Sequence, residues 1–308
     1  MSLEPLFCVT VNWNLKEDTL ACIQSLLDSG ALAKKVIVVD NGSTDGSVEA
    51  LTERFKAGVP IIQNHRNLGY ARASNLGIQQ ALKEGAEWIL LINNDTLVAT
   101  TFLTEFEDVV EKYREFDIIG PLILYHDKPE RIWYLGDRLI PGTLVTYSLY
   151  RGEVEQESYP QVFPVDFVTG CAMLVNRKVF DEVGFLDTRL FMYGEDVDFC
   201  WRARSAGFKL AAVPRARMWH KVSTSANREK STHRYLRIRN QNRFYRLNSH
   251  GVQIPIMLAF SLYQLIWKVG SDIVHFQPKL VAPQVRGWVD GWLNPHQSVR
   301  VNYGIHDL

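Results

Sequence analysis

Apolar and polar positions alternate in blocks along the first 120 residues of the chain. Leu6 to Val11 forms a short apolar run, and Leu20, Ile23 and Leu27 then recur at helical spacing until Gly30. This pattern predicts a buried strand followed by an amphipathic helix that ends at a glycine.

The same succession of strand and helix continues along the chain. Further strands are predicted at Lys35 to Val39, Val59 to Ile62 and Trp88 to Ile92. Between them lie a predicted helix that ends near Phe55, capped by Ser43, Thr44 or Asp45, and another from Tyr70 to about Glu84. The resulting βαβαβαβ order predicts an α/β fold with a parallel, three-layer sheet and right-handed crossovers.

After Pro121 the regular pattern ends. Residues 122–166 are rich in Tyr, Pro and Gly, which is typical of hairpins and loops, and we expect them to cover a cleft. A strand is predicted at Val168 to Val175, and helices at Arg177 to Val183 and Val197 to Ala206.

The amino-acid composition indicates the size of the domains, the kind of partner and the cellular compartment. The 308 residues are 46% hydrophobic and 22% charged, which suits one large or two small globular domains. Lys+Arg and Asp+Glu balance at 34 each, so we expect no nucleic-acid partner. The four cysteines show neither metal-ligand nor disulfide spacing, and no signal peptide is expected before the first strand, so a reducing cytosol fits best.

Two segments in the C-terminal part of the chain differ from the overall composition in charge or hydrophobicity. Between Arg215 and Arg246 there are ten basic residues and one acid, Glu229, which indicates an anionic partner or a solvated helix face. Ile254 to Trp267 is apolar at near-helical spacing but shorter than the ~20 residues that span a bilayer. We therefore expect no membrane crossing, and a helix packed on the core, a partner or a lipid surface.

Three oxygen-bearing side chains, Asn93, Asn94 and Asp95, follow the predicted fourth strand. Ligands of open α/β sheets bind at the carboxyl ends of the strands, and a carboxylate there suits a divalent cation that holds a diphosphate. The alternative is that Asn94 and Asp95 cap the next helix. This motif alone leaves both interpretations open.

Polar residues also follow the first two strands. Asn12, Trp13 and Asn14 end the first strand, and Asp40 ends the second. Asp40 is placed to accept a hydrogen bond from the imide N–H of a nucleobase, which the backbone around residues 11–13 would frame. The competing interpretation is that Asp40 is a turn residue in Asp-Asn-Gly.

Two further positions carry candidate chemistry. Glu195 and Asp196 begin a predicted helix, whose dipole favours ionised carboxylates, and a carboxylate beside an electrophile is a candidate general base toward a hydroxyl. The alternative is simple N-terminal helix capping. His220 is either an ordinary histidine or a ligand for an Mn²⁺-like metal.

Four segments in order resemble glycosyltransferase family 2. Residues 39–46 resemble its VVDNGSTDG signature, and residues 67–77 its N-x-G-x-A-x-x-x-N-x-G segment. Residues 93–95 resemble the N-N-D form of the DxD position in rhamnosyltransferase-like members, and residues 194–202 resemble an E-D-x-D-x-x-x-R segment. The resemblance covers about residues 6–246.

The resemblance implies a GT-A fold, with a mostly parallel, Rossmann-like sheet, flanking helices and a helical C-terminal extension. Residues 1–120 would form the half that binds the nucleotide sugar, residues 121–250 the acceptor-binding and catalytic half, and residues 251–308 the extension.

The resemblance also implies roles for individual residues. Asp196 would be the catalytic base, Glu195 would position or bind the acceptor, and Asp95 and His220 would hold a Mg²⁺ or Mn²⁺ cofactor. Because Asn93 replaces the first acid of the DxD, we expect modest metal affinity until the nucleotide binds. The implied nucleotide-binding residues are Asn12, Trp13, Asn14, Asp40, Asn67, Gly69, Arg72 and Asn94.

One more element of the rhamnosyltransferase-like branch, Y-x-x-R-N, resembles the segment that contains Arg239 and Asn240. An acceptor-binding or anion-binding role is the hypothesis for these two residues. Independently of the resemblance, Arg234, Arg237, Arg239 and Arg243 are candidates to bind a lipid-linked pyrophosphate or an anionic membrane surface.

The implied reaction is the inverting transfer of a sugar from a nucleoside diphosphate to a glycan or lipid-linked acceptor in cell-surface polysaccharide synthesis. dTDP-rhamnose is the first expected donor, and UDP-sugars come next. We expect a cytoplasmic enzyme, with peripheral association at the inner face of the membrane as an open alternative.

Two other functions remain for comparison. A sugar nucleotidyltransferase would need a Gly-rich basic loop after the first strand, where Asn12, Trp13 and Asn14 stand instead. A non-catalytic glycan-binding or scaffold protein would have no need to keep the candidate acids and His220.

Overall fold

The computed structural model describes residues 5–156, 158–222 and 230–298. From Leu6 to Ile92, strands and helices alternate as the apolar pattern predicts, and a strand and a helix that it does not predict follow up to Lys112. The strands are β1 (Leu6–Asn12), β2 (Val36–Asp40), β3 (Ile61–Gln63), β4 (Trp88–Ile92) and β5 (Thr96–Val98). The helices are α1 (Lys16–Asp28), α2 (Ser47–Phe55), α3 (Tyr70–Lys83) and α4 (Phe102–Lys112).

The middle of the chain adds seven strands and two helices to the described structure. The strands are β6 (Ile118–Tyr125), β7 (Ile132–Tyr134), β8 (Asp137–Leu139), β9 (Thr146–Ser148), β10 (Phe163–Val165), β11 (Ala172–Asn176) and β12 (Leu210–His220). The helices are α5 (Arg177–Val183) and α6 (Glu195–Ser205). The short strands β7 to β10 confirm the predicted hairpins and loops of residues 122–166.

The main sheet runs in the order β10-β12-β6-β11-β4-β1-β2-β3. Strands β3, β2, β1 and β4 are parallel neighbours, which confirms the parallel half predicted from the alternation. Strand β11 then inserts antiparallel between β4 and β6, and β12 pairs in parallel with β6. The complete sheet is therefore mixed, with its parallel half at one side.

Helices cover both faces of this sheet, so the strands are buried on both sides. Every residue of β2, β4 and β11 is buried, and the apolar side chains divide into two large clusters, one on each face. Consecutive strand residues alternate between the two clusters, as the period of a strand requires. The four cysteines, Cys8, Cys22, Cys171 and Cys200, are buried in this core and form no disulfide.

Three helices follow the sheet: α7 (Lys230–Asn248), α8 (Gln253–Val274) and α9 (Val281–Leu293). They pack through a small cluster that includes Phe244, Tyr245, Met257 and Trp292. Of the basic segment noted in the sequence, Arg228 and Glu229 lie outside the described residues. The predicted C-terminal helical extension is confirmed up to the end of α9 at Leu293.

Helix α8 corrects the length expected from the sequence. The apolar run ends at Trp267, but the helix continues to Val274 and reaches 22 residues, because Val269, Ile273 and Val274 maintain the helical apolar spacing. Among the described residues, α8 is the one helix with the length and composition to cross a membrane. Length alone therefore does not exclude a crossing.

Candidate functional site

The side chain of Asn12 connects the ends of three strands. Its Nδ2 donates to Asp40 Oδ2 at 2.8 Å and to Ser43 Oγ at 3.1 Å. Its Oδ1 accepts from Thr19 Oγ1 at 2.8 Å and from Asn94 Nδ2 at 3.2 Å. Asn12 and Asp40 are paired in the β1–β2 register, so the parallel strands bring the predicted polar residues together at their carboxyl ends.

The carboxylate of Asp40 is fully buried and is held by its own turn. In addition to the Asn12 bond, its Oδ1 accepts from the backbone N–H groups of Gly42 at 3.2 Å and Ser43 at 3.0 Å. This geometry is that of an Asx turn, the competing interpretation of Asp40. Nucleobase recognition by Asp40 stays a prediction.

Asn14 and Trp13 join this turn to other parts of the site. Asn14 Oδ1 accepts from the Thr44 backbone N–H at 2.7 Å, and its own backbone N–H donates to Ser43 Oγ at 3.0 Å. Trp13 packs against a cluster that contains Phe191, in the loop before α6. The segment after β1 therefore contacts both the β2 turn and the approach to Glu195.

The loop before α3 is fastened to the β2 turn through Asn41. Asn41 Nδ2 donates to Asn67 Oδ1 at 2.9 Å, and Asn41 Oδ1 accepts from the Leu68 backbone N–H at 3.0 Å. Asn67 Oδ1 also accepts from the Gly69 backbone N–H at 2.8 Å. The predicted residues Asn67 and Gly69 therefore belong to the same connected loops as Asp40, whereas Arg72 is exposed on α3.

The side chains of Asn94 and Asp95 make separate sets of contacts. Asn94 Nδ2 donates to Thr19 Oγ1 at 2.8 Å and to Asn12, so Asn94 belongs to the buried amide network. Asp95 Oδ1 lies 3.2 Å from His220 Nε2. The β5–β12 pairing, which aligns Thr96 with His220, places Asp95 beside the histidine.

The Asp95–His220 pair fits a hard divalent cation. The two nearest ligand atoms lie 3.2 Å apart, close to the separation of about 3 Å between neighbouring ligands of an octahedral ion with bonds of about 2.1 Å. Both side chains are buried, and His220 Nδ1 has no hydrogen-bond partner in the described part of the chain. Among the described residues, no group of three or more His, Cys, Asp or Glu side chains is arranged to hold a metal ion.

The His220 imidazole titrates far from its ordinary range. Burial lowers its pKa, but Cys171 and the Asp95 carboxylate raise the pKa by more, to about 10, so the ring holds a proton in the absence of a cation. A cation bound at Nε2 would displace that proton, because only a neutral imidazole is a metal ligand. Trp133 packs edge-on against the imidazole with ring centres 4.6 Å apart. The ring is therefore held in place from two sides.

Glu195 and Asp196 form the first turn of α6, as predicted. Asp196 Oδ2 accepts from the Gly170 backbone N–H at 2.8 Å, and burial raises the pKa of Asp196 despite its backbone hydrogen bonds. Glu195 is buried, and its Oε2 has no partner among the described residues. Burial first, and then Asp196, raises the pKa of Glu195 to about 8, so its carboxyl is largely protonated at neutral pH.

The dipeptide Gly170-Cys171 lies between these carboxylates and the cation pair. Gly170 donates its backbone N–H to Asp196, and the Cys171 carbonyl accepts from the Asn93 backbone N–H at 2.9 Å. The dipeptide precedes β11 and carries no motif, so the sequence does not mark it as part of a site. It joins the candidate metal ligand and the candidate base into one site.

Two more side chains lie near Asp196 and are not among the predicted site residues. Tyr70 donates its hydroxyl to the Gly170 carbonyl at 3.0 Å. The Oδ1 atom of Asp137 is buried and has no hydrogen-bond partner among the described residues. Burial and, to a smaller extent, the charge of Asp196 raise the pKa of Asp137 to about 6, although a hydrogen bond from Ser148 lowers it. Asp137 lies in the aperiodic region 122–166, where the sequence gives no pattern to locate it.

The structure gives Arg239 and Asn240 partners inside the protein. Both are buried, at 2% exposed each, and Arg239 donates to Asn240 Oδ1 at 2.7 Å. The two hydrogens of Asn240 Nδ2 are shared among three carbonyls of the loop before α6, those of Leu190, Met192 and Tyr193. These contacts hold the loop in position. Acceptor or anion binding by Arg239 and Asn240 stays a prediction.

This combination of fold and site defines a class of protein. The fold is that of a GT-A glycosyltransferase: a mixed sheet with a parallel half. The site has an Asp-His pair at the ends of β4 and β12, and Gly170-Cys171 connects it to an acidic helix start. The sequence matches the family described as Glycosyl transferase family 2 over residues 8–184, more than half of the chain. The chain belongs to glycosyl transferase family 2.

Curated relatives agree with this assignment. An N-acetylglucosaminyl-diphospho-decaprenol L-rhamnosyltransferase of Mycobacterium tuberculosis is 30% identical over 225 residues, which cover 64% of this chain and 70% of the relative. The dTDP-rhamnosyl transferase RfbF of Shigella flexneri is 24% identical over 82% of this chain and 83% of its own. The hexosyltransferase Agl10 of Haloferax volcanii is 25% identical over 95% of this chain and 92% of its own.

Solved structures share the fold. The mannosyltransferase PcManGT from Pyrobaculum calidifontis, in complex with GDP-Man and Mn²⁺, aligns with a TM-score of 0.57 and 12% identity over 94% of this chain and 87% of that chain. GalNAc-T7 with UDP, GalNAc and Mn²⁺ aligns with a TM-score of 0.55 and 16% identity over 70% of this chain and 43% of that chain. The predicted GT-A fold is confirmed.

Proposed function

We propose that this chain is an inverting, metal-dependent hexosyltransferase that moves a sugar from a nucleoside diphosphate to a glycan or lipid-linked acceptor. The observation that carries the proposal is the pair Asp95 and His220 beside Gly170-Cys171, which also contacts Asp196. Asp95 and His220 suit a cation bound to a diphosphate, and Asp196 suits an acceptor hydroxyl.

dTDP-rhamnose is the proposed donor, and UDP-sugars are the next candidates. Support comes from two relatives whose names specify rhamnosyl transfer, in Mycobacterium tuberculosis and Shigella flexneri. The name of the first also describes a lipid-linked diphospho-sugar. We assign the reaction to cell-surface polysaccharide synthesis at the cytoplasmic face of the membrane, which the four reduced cysteines suit.

The chain's own residues have distinct roles in the proposed reaction. Asp95 and His220 would hold Mg²⁺ or Mn²⁺, which as a Lewis acid stabilises the charge on the departing diphosphate. The Asn12–Asn94 amide network fixes the strand end from which Asp95 projects. The loops that contain Asp40, Asn67 and Gly69 would bind the nucleotide, together with Trp13 and Asn14.

Asp196 would accept the acceptor proton on the side of the sugar opposite the diphosphate, as a single inverting displacement requires. Its backbone bond from Gly170 orients the carboxylate, and its raised pKa makes it a stronger base than an exposed aspartate. Glu195, protonated at neutral pH, can donate a hydrogen bond to an acceptor oxygen. The two adjacent acids therefore divide the tasks of base and acceptor positioning.

The first experiment identifies the donor. Thermal unfolding is measured with sugar nucleotides in the presence and absence of Mn²⁺ or Mg²⁺, because a bound ligand raises the melting temperature. The expected result is a metal-dependent rise with dTDP-rhamnose and slow hydrolysis of the same compound. Turnover of a nucleoside triphosphate with a sugar 1-phosphate would instead identify a nucleotidyltransferase, and binding of glycans without any turnover would identify a scaffold protein.

The second experiment tests the base. Asp196→Asn should lower transfer by ~10²–10⁴-fold and leave donor binding near normal, because a general base typically contributes that factor. Asp198→Asn, on the same helix, is the matched control, since Asp198 pairs with Arg202 at 2.9 Å. Intact transfer with reduced donor affinity in Asp196→Asn would reject the assignment.

A further inference from the structure

Helix α8 exposes an apolar surface that the described protein does not cover. Its buried residues are Met257, Ser261, Leu265 and Asp272, which form one narrow seam. Twelve of the seventeen large exposed hydrophobic residues in the described structure lie between Val252 and Leu293. Those on α8 and just beyond it include Leu262, Tyr263, Ile266, Trp267, Ile273 and Phe276, the last at 91% exposed.

Polar contacts along the seam fix α8 to its neighbours. Ser261 Oγ accepts from the indole N–H groups of Trp288 and Trp292, each at 3.0 Å. Asp272 accepts from Arg234 at 3.4 Å and from the side chain of Gln284. A transmembrane position would separate these buried polar partners, so the helix is held flat against α7 and α9 with its apolar side outward.

The charge of this unit determines which surface it fits. Residues 230–293 contain nine Lys and Arg residues against two acids, Asp272 and Asp290. Asp272 pairs with Arg234, and Asp290 lies 3.5 Å from Arg286. Arg239 and Arg243 are buried, and Arg243 pairs with Asp187, so these two do not reach the surface. The exposed basic residues of the unit include Arg237, Arg246, Lys279 and Arg286, and they give the apolar face positively charged surroundings.

We propose that the exposed face of α8 docks onto an anionic lipid membrane, with Leu262, Ile266 and Trp267 inserted at the level of the headgroups. An interfacial helix typically combines an apolar face with Trp or Phe and flanking Lys or Arg residues. A second copy of the chain is the less favourable occupant, because it would bring two faces of the same positive charge together.

Helix α7 connects this surface to the site. The Arg237 guanidinium lies over the Tyr193 ring at 4.8 Å, and Tyr193 precedes Glu195 by two residues. Docking through α8 would therefore keep the acidic helix start close to lipid-linked molecules. The proposal rests on the proposed function for its biological purpose, but vesicle binding is measured without donor or acceptor and tests it separately.

The experiment is co-sedimentation of the full chain with vesicles of phosphatidylcholine alone or mixed with phosphatidylglycerol. Binding should be stronger to the anionic vesicles and weaken as salt rises. The triple variant Leu262→Gln, Ile266→Gln, Trp267→Gln should reduce partitioning by roughly tenfold or more, since each side chain loses apolar burial. The matched control is Leu32→Gln, Ile140→Gln, Tyr147→Gln, which alters three exposed hydrophobic residues elsewhere.

Charge is tested by a separate pair of variants. Lys279→Gln with Arg286→Gln should weaken binding to anionic vesicles by about fivefold for each charge and leave binding to neutral vesicles unchanged. Lys83→Gln with Arg114→Gln, both exposed and distant in sequence, should have no effect. Each variant is compared with wild type by thermal unfolding, so that loss of binding is separated from loss of fold.

Three outcomes would overturn the docking proposal: no binding of wild type to anionic vesicles, equal binding of the triple variant, or a lipid-free dimer that the triple variant converts to monomers. Sugar transfer to a soluble acceptor without vesicle binding would reject the docking surface and leave the transferase intact. Vesicle binding without sugar transfer to any acceptor would support the docking surface and reject the proposed transferase function.

Discussion

The side-chain amide of Asn240 donates a hydrogen bond to the Tyr193 carbonyl at 2.8 Å, across 47 positions of sequence. The same nitrogen lies 2.9 Å from the carbonyls of Leu190 and Met192. One residue of α7 therefore fixes the loop that ends at Gly194 and places Glu195 and Asp196. The start of α6, which contains the proposed catalytic acids, therefore depends on the C-terminal helices for its position.

Asn240→Ala should lower kcat on the order of 10²-fold with little change in the donor KM, because the loop and its two acids lose their fixed orientation. The pH dependence of kcat should also shift, since the surroundings of Glu195 change. Asn242→Ala is the matched control: Asn242 is equally buried on α7 but contacts Ile238 and Trp292. Equal kinetic losses in both variants would indicate a general effect on folding.

Asp95→Ala and His220→Ala should each abolish most of the metal-dependent stabilisation by a nucleoside diphosphate. We expect the apparent affinity for Mn²⁺, measured by titration in the presence of nucleotide, to fall by at least about 10–100-fold. His250→Ala, which removes an exposed histidine, should behave as wild type. Retention of metal-dependent stabilisation in both site variants would contradict the cation assignment.

Glu195 should make the stability of the free protein depend on pH. Its pKa lies near 8 in the folded protein, against 4.5 as the ordinary value. Between these limits the folded state holds a proton that the unfolded chain has released, so the free energy of unfolding falls as pH rises, by at most about 1.4 kcal/mol per pH unit.

The check is urea unfolding of wild type and Glu195→Gln at several pH values in that window. The variant should show a shallower decline than wild type, while Glu53→Gln, an exposed control, should decline as wild type does. Asp137, Asp196 and His220, whose pKa values are also raised, account for the part that remains. Parallel pH dependence in wild type and Glu195→Gln would show that Glu195 does not carry the effect.

A comparison of Gly69→Ala with Gly85→Ala separates the cost of a steric clash from the cost of backbone strain. Gly69 has a φ of +85°, and a Cβ there would lie 2.6 Å from a ring carbon of Phe191. Gly85 has a φ of +87° but nothing within 4 Å of the same position. Gly85→Ala should cost about 1–2 kcal/mol of unfolding free energy from conformation alone, and Gly69→Ala about 1–3 kcal/mol more from overpacking. Equal losses would argue against the close contact with Phe191.

The parallel half of the fold was predictable from the sequence because its information is local. Runs such as Trp88 to Ile92 are apolar throughout, and glycines such as Gly85 mark the helix ends. The polar residues after β1, β2 and β4 followed from the general rule that ligands bind at carboxyl ends of strands. The structure confirms that Asn12, Asp40 and Asn94 meet there.

The remainder of the site depends on contacts between distant segments. Strand β11 enters the sheet antiparallel, and only this placement puts Gly170 beside Asp196 and Cys171 beside Asn93. No local period specifies such an insertion. For the same reason the buried partners of Asn240 were not foreseen, because a sequence pattern does not show which loop a helix will hold.

The four buried thiols allow local opening of the fold to be measured through their reactivity. Burial raises the pKa of Cys22 to about 12 and also raises the pKa of Cys171 and Cys200, so an alkylating reagent meets few thiolates while the fold is closed. The rate of modification therefore measures how often each region opens. Cys171 lies between the Asp95–His220 pair and the two acids Glu195 and Asp196. Slower alkylation of Cys171 would therefore report ligand binding without an introduced probe.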